Sequence, residues 1–167
     1  VELRGELVVL REATMDDLDD ATWVFEGEGN EQSWPGADRR RTAREFLEDD
    51  DVVPYLVLVD GAVAGVIQSY EEEDPDYRHG GIDIILHPDV QDRGVGTDAV
   101  RTLARHLIEH DGHHRLVIDP AAHNARAIRC YEKVGFRAVG VMRGYERGMD
   151  GTFHDGLLMD LLAGELT

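Results

Sequence analysis

An acidic residue stands inside an apolar run at Ile82-Asp83-Ile84-Ile85-Leu86, and the chain then turns through Gln91-Asp92-Arg93-Gly94-Val95-Gly96-Thr97 into a long amphipathic stretch. Each feature suggests a chemistry. A glycine-containing turn at a helix start exposes backbone N–H groups that have no partner in the helix, together with the positive end of its dipole, and so suits phosphate oxygens. The spacing is not that of a Walker A loop, which needs Gly-Lys-Ser/Thr, and it lacks the third glycine of a dinucleotide fingerprint. It reads as a pyrophosphate site or as a plain tight turn. A carboxylate such as Asp83 is costly to bury without a partner. Either it has a structural partner, or it binds an incoming ammonium and accepts its proton, directly or through water.

Further along, Asn124 and Tyr131 lie seven residues apart in a stretch with helical periodicity. Two near-complete turns put them on one face, with Ile128 between them. Cys130 should then face away and serve as packing rather than as a nucleophile. Asp119 precedes Pro120 and reads equally as a ligand carboxylate or a turn residue. Trp34 and Tyr70 could stack on a ring or belong to the core, and Glu73 sits in an acidic run that could wall a cationic site or simply be solvated. The run His110-Asp111-Gly112-His113-His114 contains metal-ligand types but no recognised closed-site spacing, so no metal is expected.

These residues need elements to hold them. Glu6–Arg11 reads as a first strand, followed by a helix over Asp16–Phe25 and a second over Asp38–Leu47. Tyr55–Val59 and Ala62–Tyr70 flank Asp60-Gly61, the dipeptide of a type I′ hairpin. Residues 71–79 read as an acidic loop, Ile82–Leu86 as a strand, and Val95–Glu109 as a helix. Arg115–Asp119 is a strand, 124–134 a helix ended by Gly135, and Phe136–Met142 with Thr152–Leu162 a closing hairpin around Met149-Asp150-Gly151. The order predicts one mixed α/β domain over residues 1–167, with a mostly antiparallel central sheet and flanking helices.

Composition narrows the partners. With 35 acidic against 17 basic residues the formal charge is -18, which argues against nucleic acid and anionic membranes and favours a cationic ligand. A solvated acidic surface explains much of that charge without any ligand. One cysteine rules out an internal disulfide, the amino terminus is charged, and no apolar run reaches bilayer length, so a cytoplasmic protein is expected.

The turn has the form Gln/Arg-x-x-Gly-x-Gly/Ala and resembles the acyl-CoA loop of the GCN5-related N-acetyltransferase (GNAT) superfamily. IDPAAHNARAIRCYEKVGF looks like that superfamily's fourth-helix motif. Together with PYLVLVDG, IQSYEEED and GGIDIIL, it makes the chain from Trp34 to Phe136 resemble the aminoglycoside 6'-N-acetyltransferases. The resemblance implies the GNAT fold and direct acetyl transfer from acetyl-CoA to a primary amine of a cationic small molecule, by a monomer or homodimer. It implies that backbone groups of Ile84, Ile85 and Leu86 hold the pantetheine arm, and that Gln91 to Thr97, including Asp92, Arg93, Gly94, Val95 and Gly96, hold the pyrophosphate. Asn124 and Ala127 would touch the cofactor, and Tyr131 would act as acid and Asp83 as base. Trp34, Tyr70, Glu73, Asp83 and Asp119 would face the acceptor. Three rivals share parts of the pattern. A siderophore-pathway acyltransferase usually has His where Asp83 stands, a protein N-terminal acetyltransferase would use the same loop, and a CoA-binding module would perform no transfer.

Overall fold

Apolar residues alternate along the strands, so each inner strand feeds two buried layers. In β3 (Val52–Val59), Tyr55 and Val57 enter one cluster while Leu56 enters the other. The computed structural model describes residues 1–27, 38–148 and 150–167. Its eight strands lie in one sheet in the order β1 (Glu2–Arg4), β2 (Val9–Glu12), β3, β4 (Ala62–Glu72), β5 (His79–Leu86), β6 (Arg115–Ile118), β8 (Phe153–Leu162), β7 (Arg137–Arg147). Every neighbouring pair is antiparallel except β5 and β6. Helices α1 (Leu18–Phe25) and α2 (Arg39–Glu48) cover one face through Ala21, Val24, Phe25 and Ala43. Helices α3 (Val95–Glu109) and α4 (Ala125–Val134) cover the other through Ala99, Leu103, Leu107 and Val134.

Local chemistry sets the element ends. Thr14 and Asp17 form a reciprocal capping box ahead of α1, Asp38 caps α2 by accepting from the Arg41 N–H, and Gly135 ends α4 at φ 120°. Asp60 and Gly61 both take positive φ, 50° and 80°, as a type I′ turn requires.

Two expectations change. The single first strand is a hairpin of β1 and β2, giving eight strands where seven were expected. Its turn is held from a distance: the Asp98 carboxylate in the first turn of α3 accepts the N–H groups of Glu6, Leu7 and Val8 at 3.1, 2.7 and 2.9 Å. Glu71 and Glu72 continue β4 rather than joining a loop, and Glu71 lies 2.6 Å from Nε2 of the buried His113.

The feature that matters for function is where β5 and β6 part. They pair only at Gly80 with Leu116 and Gly81 with Val117. Beyond that point β5 remains paired to β4 on its other side, from Ile82 opposite Ser69 to Leu86 opposite Gly65.

Candidate active site

The divergence of β5 and β6 opens a cleft of about 660 Å³. Ile84, Ile85 and Leu86 supply one wall, Asn124, Ala127, Cys130 and Tyr131 of α4 the opposite one, and Gln91, Asp92, Gly94, Gly96 and Thr97 the end at α3. Asp119, Glu146, Asp150, His154 and Asp155 border the other end. A smaller recess lined by Ile82, Asp83, Ile84, Ile118, Asp119, Tyr131 and Glu146 shares several of these walls.

The turn into α3 is built from unusual backbone. Asp92 has φ 62° and Gly94 φ 80°, and no side chain caps the helix at Gly94. The first N–H groups of α3 are therefore left without a capping side chain, and Gly96 and Thr97 of that turn line the cleft. The one carboxylate of the helix's first turn, Asp98, is committed to the β1–β2 turn. At Gly96 a Cβ would come within 3.3 Å of Leu86 Cδ1 and 3.5 Å of Cys130 Sγ, so the backbone itself forms the surface there. Arg126, Arg129 and Lys133 of α4 also line the cleft, in a chain with only 17 basic residues. Both signs of charge line the cleft: Arg126 lies 3.6 Å from Asp92 near the start of α3, and Arg147 stands among Glu146, Asp150 and Asp155.

Strand alternation divides the remaining groups. Ile82 and Ile84 share the layer of α3, α4 and Tyr131, while Ile85 packs with α1 and α2. Asp83 lies on the Ile85 side of the strand by the same period of two. Its Oδ2 accepts a hydrogen bond from Gln68 Nε2 at 2.9 Å. Burial raises the Asp83 pKa, the Gln68 bond opposes that rise, and the charge of Asp119 adds to it. Burial also raises Asp119, against a 2.8 Å hydrogen bond donated by the Tyr145 hydroxyl. That bond, more than burial, pushes Tyr145 up to about 12. Tyr131 is raised by burial and then by its anionic neighbours, so it stays a protonated phenol in neutral solution. The site therefore holds two carboxylates, each with a neutral donor, and a protonated phenol.

Residues 15–136 match the profile of the Acetyltransferase (GNAT) family. The chain belongs to that family. Among curated relatives it is 34% identical to the aminoglycoside N(6')-acetyltransferase type 1 of Klebsiella pneumoniae, over 65% of this chain and 63% of that protein. It is 42% identical to a kanamycin resistance protein of Rhizobium radiobacter over 43% of this chain and 66% of the relative. The chain thus spans a little under two thirds of these relatives' length. Among solved structures, AAC(6')-Ib in complex with ribostamycin and coenzyme A superposes with a TM-score of 0.74 at 28% identity, over 96% of this chain and 97% of that one. The fold expected from the resemblance is the GNAT fold found here.

Within this family member, the cleft brings together Ile84, Ile85, Leu86, Gln91, Asp92, Gly94, Gly96, Thr97, Asn124, Ala127, Tyr131 and Asp119. Asp83 borders the adjoining recess. Gln91 donates its side-chain amide to the Leu86 carbonyl at 3.2 Å and ties the turn to β5. The Asn124 side-chain oxygen accepts from the Ala127 N–H at 3.2 Å as the cap of α4. Tyr70 fills the space over Gly81, where a Cβ would collide with its ring, and the charges of Asp83 and Asp119 raise its pKa further after burial. Four residues stand apart from the cleft wall: Tyr70 itself lines neither the cleft nor the recess, Arg93 is exposed, the Val95 side chain is in the core, and Glu73 lies in the loop after β4. Trp34 lies outside the described residues.

Cys130 does not face away. It lines the cleft beside Tyr131, with Sγ 3.2 Å from Thr97 Oγ1, because α4 crosses the start of α3 and the cleft takes in more than one stripe of the helix. Burial raises its pKa, partly opposed by Thr97 and nearby cations, which keeps it a thiol.

Sequence reasoning missed Gln68, Tyr145, Glu146 and the cleft-facing cations of α4. Gln68 carried a signal, as a polar residue in an apolar strand that pairs opposite Asp83. Tyr145 carried none. The five residues of β7 from Met142 to Glu146 run opposite only three of β8, Gly156 to His154, and Gly144 at φ 56° lets the strand bulge. The bulge is fastened by the Gly144 N–H on Asp155 Oδ1 at 2.8 Å and brings Tyr145 to Asp119.

Proposed function

We propose that the chain is an acetyl-CoA-dependent N-acetyltransferase acting by direct transfer on a primary amine of a small polycation, with the 6'-amine of an aminoglycoside as the leading acceptor. Acetyl-CoA supplies an activated thioester. The observation that carries the reading is the β5–β6 gap itself, which has an uncapped helix start at one end and leads to the hydrogen-bonded carboxylates Asp83 and Asp119. The residues fit such a donor. The Val95, Gly96 and Thr97 N–H groups would hold pyrophosphate, and the edge of β5 beyond Gly81 would hold an extended amide-bearing arm.

Asp83 and Asp119 would receive the ammonium from the opposite layer. A carboxylate whose pKa is raised is a better base than a solvent-exposed one. Asp83 would accept the proton from the acceptor, and Tyr131, protonated on the donor side, would give one to the departing thiolate. Cys130 is held as a thiol, which supports transfer without an acetyl-enzyme.

The test is acetyl-CoA turnover with kanamycin, with an analogue bearing a hydroxyl in place of its 6'-amine, and with polyamines and peptide amino termini. Turnover with kanamycin and none with the hydroxyl analogue supports the reading. Equal turnover of both rules out the 6' position, and turnover of peptide termini alone moves the acceptor to protein.

A further inference from the structure

The end of α3 lies away from the cleft: none of His106, His110 and Asp111 borders it. His106 and His110 are four residues apart on one face, with stacked rings 4.7 Å between centroids and 14° between planes. Asp111 closes over them. One of its oxygens lies 2.8 Å from His110 Nδ1 and the other 3.9 Å from His106 Nε2. A ligand atom from each of the three residues falls within 4.8 Å of the other two.

Asp111 is placed by backbone rather than by chance. Its N–H donates to the His106 carbonyl, Gly112 takes φ 78°, and the Arg78 guanidinium donates to the Asp111 and Gly112 carbonyls at 2.7 and 3.2 Å. Arg78 is thus the nearby cation that a metal must tolerate, while the negative end of the α3 dipole favours a positive charge.

We propose that His106, His110 and Asp111 form a site for a divalent late transition metal of the zinc type, with two imidazole nitrogens and one carboxylate oxygen as ligands and water completing the tetrahedron. Bonds of about 2.0 to 2.2 Å in a tetrahedron set ligand atoms about 3.3 to 3.6 Å apart, so side-chain rotation must open the contact between His110 and Asp111 and draw His106 in. The imidazoles select zinc, nickel or copper over magnesium or calcium, which prefer all-oxygen shells. The bound ion would clasp the last turn of α3 to the turn that leads into β6, and would stabilise the fold without entering the reaction.

The experiment uses the full chain, untagged and stripped with chelator, titrated with zinc chloride in a calorimeter and heated with and without zinc. One zinc per chain and a raised melting temperature are expected, with magnesium silent. His110→Ala, at a largely exposed side chain, and His106→Gln should each lower zinc affinity by about tenfold or more and keep wild-type acetyl-CoA turnover. Asp111→Asn should lower it as well. Unchanged affinity in the two histidine variants, or no binding by the wild type, overturns the site. Loss in the histidine variants with none in Asp111→Asn overturns the three-ligand assignment. Melting without zinc separates a misfolded variant from a lost ligand.

Discussion

At the scale of single residues, acid and base are set by their surroundings rather than by residue type. Tyr131 is kept protonated by burial, and Asp83 is raised by burial against the pull of Gln68. On the proposed roles, Tyr131→Phe should lower kcat by about 10²- to 10⁴-fold with acceptor KM nearly unchanged, whereas Asp83→Asn should impair both. Steady-state kinetics in both substrates decides this, and wild-type rates in both variants leave the residues structural. Tyr145 gives a sharper test. Its hydrogen bond favours ionised Asp119, so Tyr145→Phe should raise the Asp119 pKa. Because the working form is the carboxylate, activity grows as pH rises through that pKa. The acidic limb of kcat/KM should therefore start above the ordinary carboxylate range and move to higher pH in Tyr145→Phe. A pH–rate profile with an unmoved limb would mean that Asp119 does not govern acceptor capture.

At the scale of elements, the legible parts were those fixed by neighbours in sequence. Asp60-Gly61, Gly135 and the α3 periodicity each carry their own signal, and the hairpin, the end of α4 and the helix lie where those signals put them. The β1–β2 hairpin was not legible, because its turn is fastened by Asp98, some 90 residues away in sequence. The β7 bulge was equally hidden, since its strand reads as ending at Met142 and Asp155 fastens it from the next strand. The cleft itself depends on β6 pairing with β5 at only two positions, which no pattern within either strand announces. The Asp98 link can be measured. Asp98→Ala leaves backbone donors at Glu6, Leu7 and Val8 without their shared charged acceptor and should cost about 3 kcal/mol in urea denaturation. A loss under about 0.5 kcal/mol would show that water replaces the carboxylate. Gly96→Val tests the neighbouring turn. Its Cβ meets Leu86 and Cys130 and its branches enter the cleft, so acetyl-CoA affinity in calorimetry should fall while the unfolding midpoint changes little. Full affinity in a folded Gly96→Val would remove the turn from the cofactor site.

At the scale of the whole molecule, on the proposed function, a formal charge of -18 would act on two substrates of opposite sign. A polyanionic donor approaches a strongly acidic protein and must find the local cations Arg126, Arg129 and Lys133. A polycationic acceptor would be drawn in by the net field and then by Asp119, Glu146, Asp150 and Asp155 of the cleft. Salt screens exposed charges beyond about 8 Å at physiological ionic strength, so it should act on the two substrates in opposite directions. Raising salt from about 0.05 M to about 0.5 M should lower kcat/KM for kanamycin several-fold and leave that of a small monoamine much flatter. Over the same range KM for acetyl-CoA should fall or hold, because net repulsion weakens along with the local attraction. Initial rates with one substrate varied at a time measure all three. A parallel fall for kanamycin and the monoamine would assign the effect to the enzyme's stability rather than to acceptor capture. A kanamycin response as flat as the monoamine's would mean that the carboxylates of the cleft select the acceptor by short hydrogen bonds and not by charge.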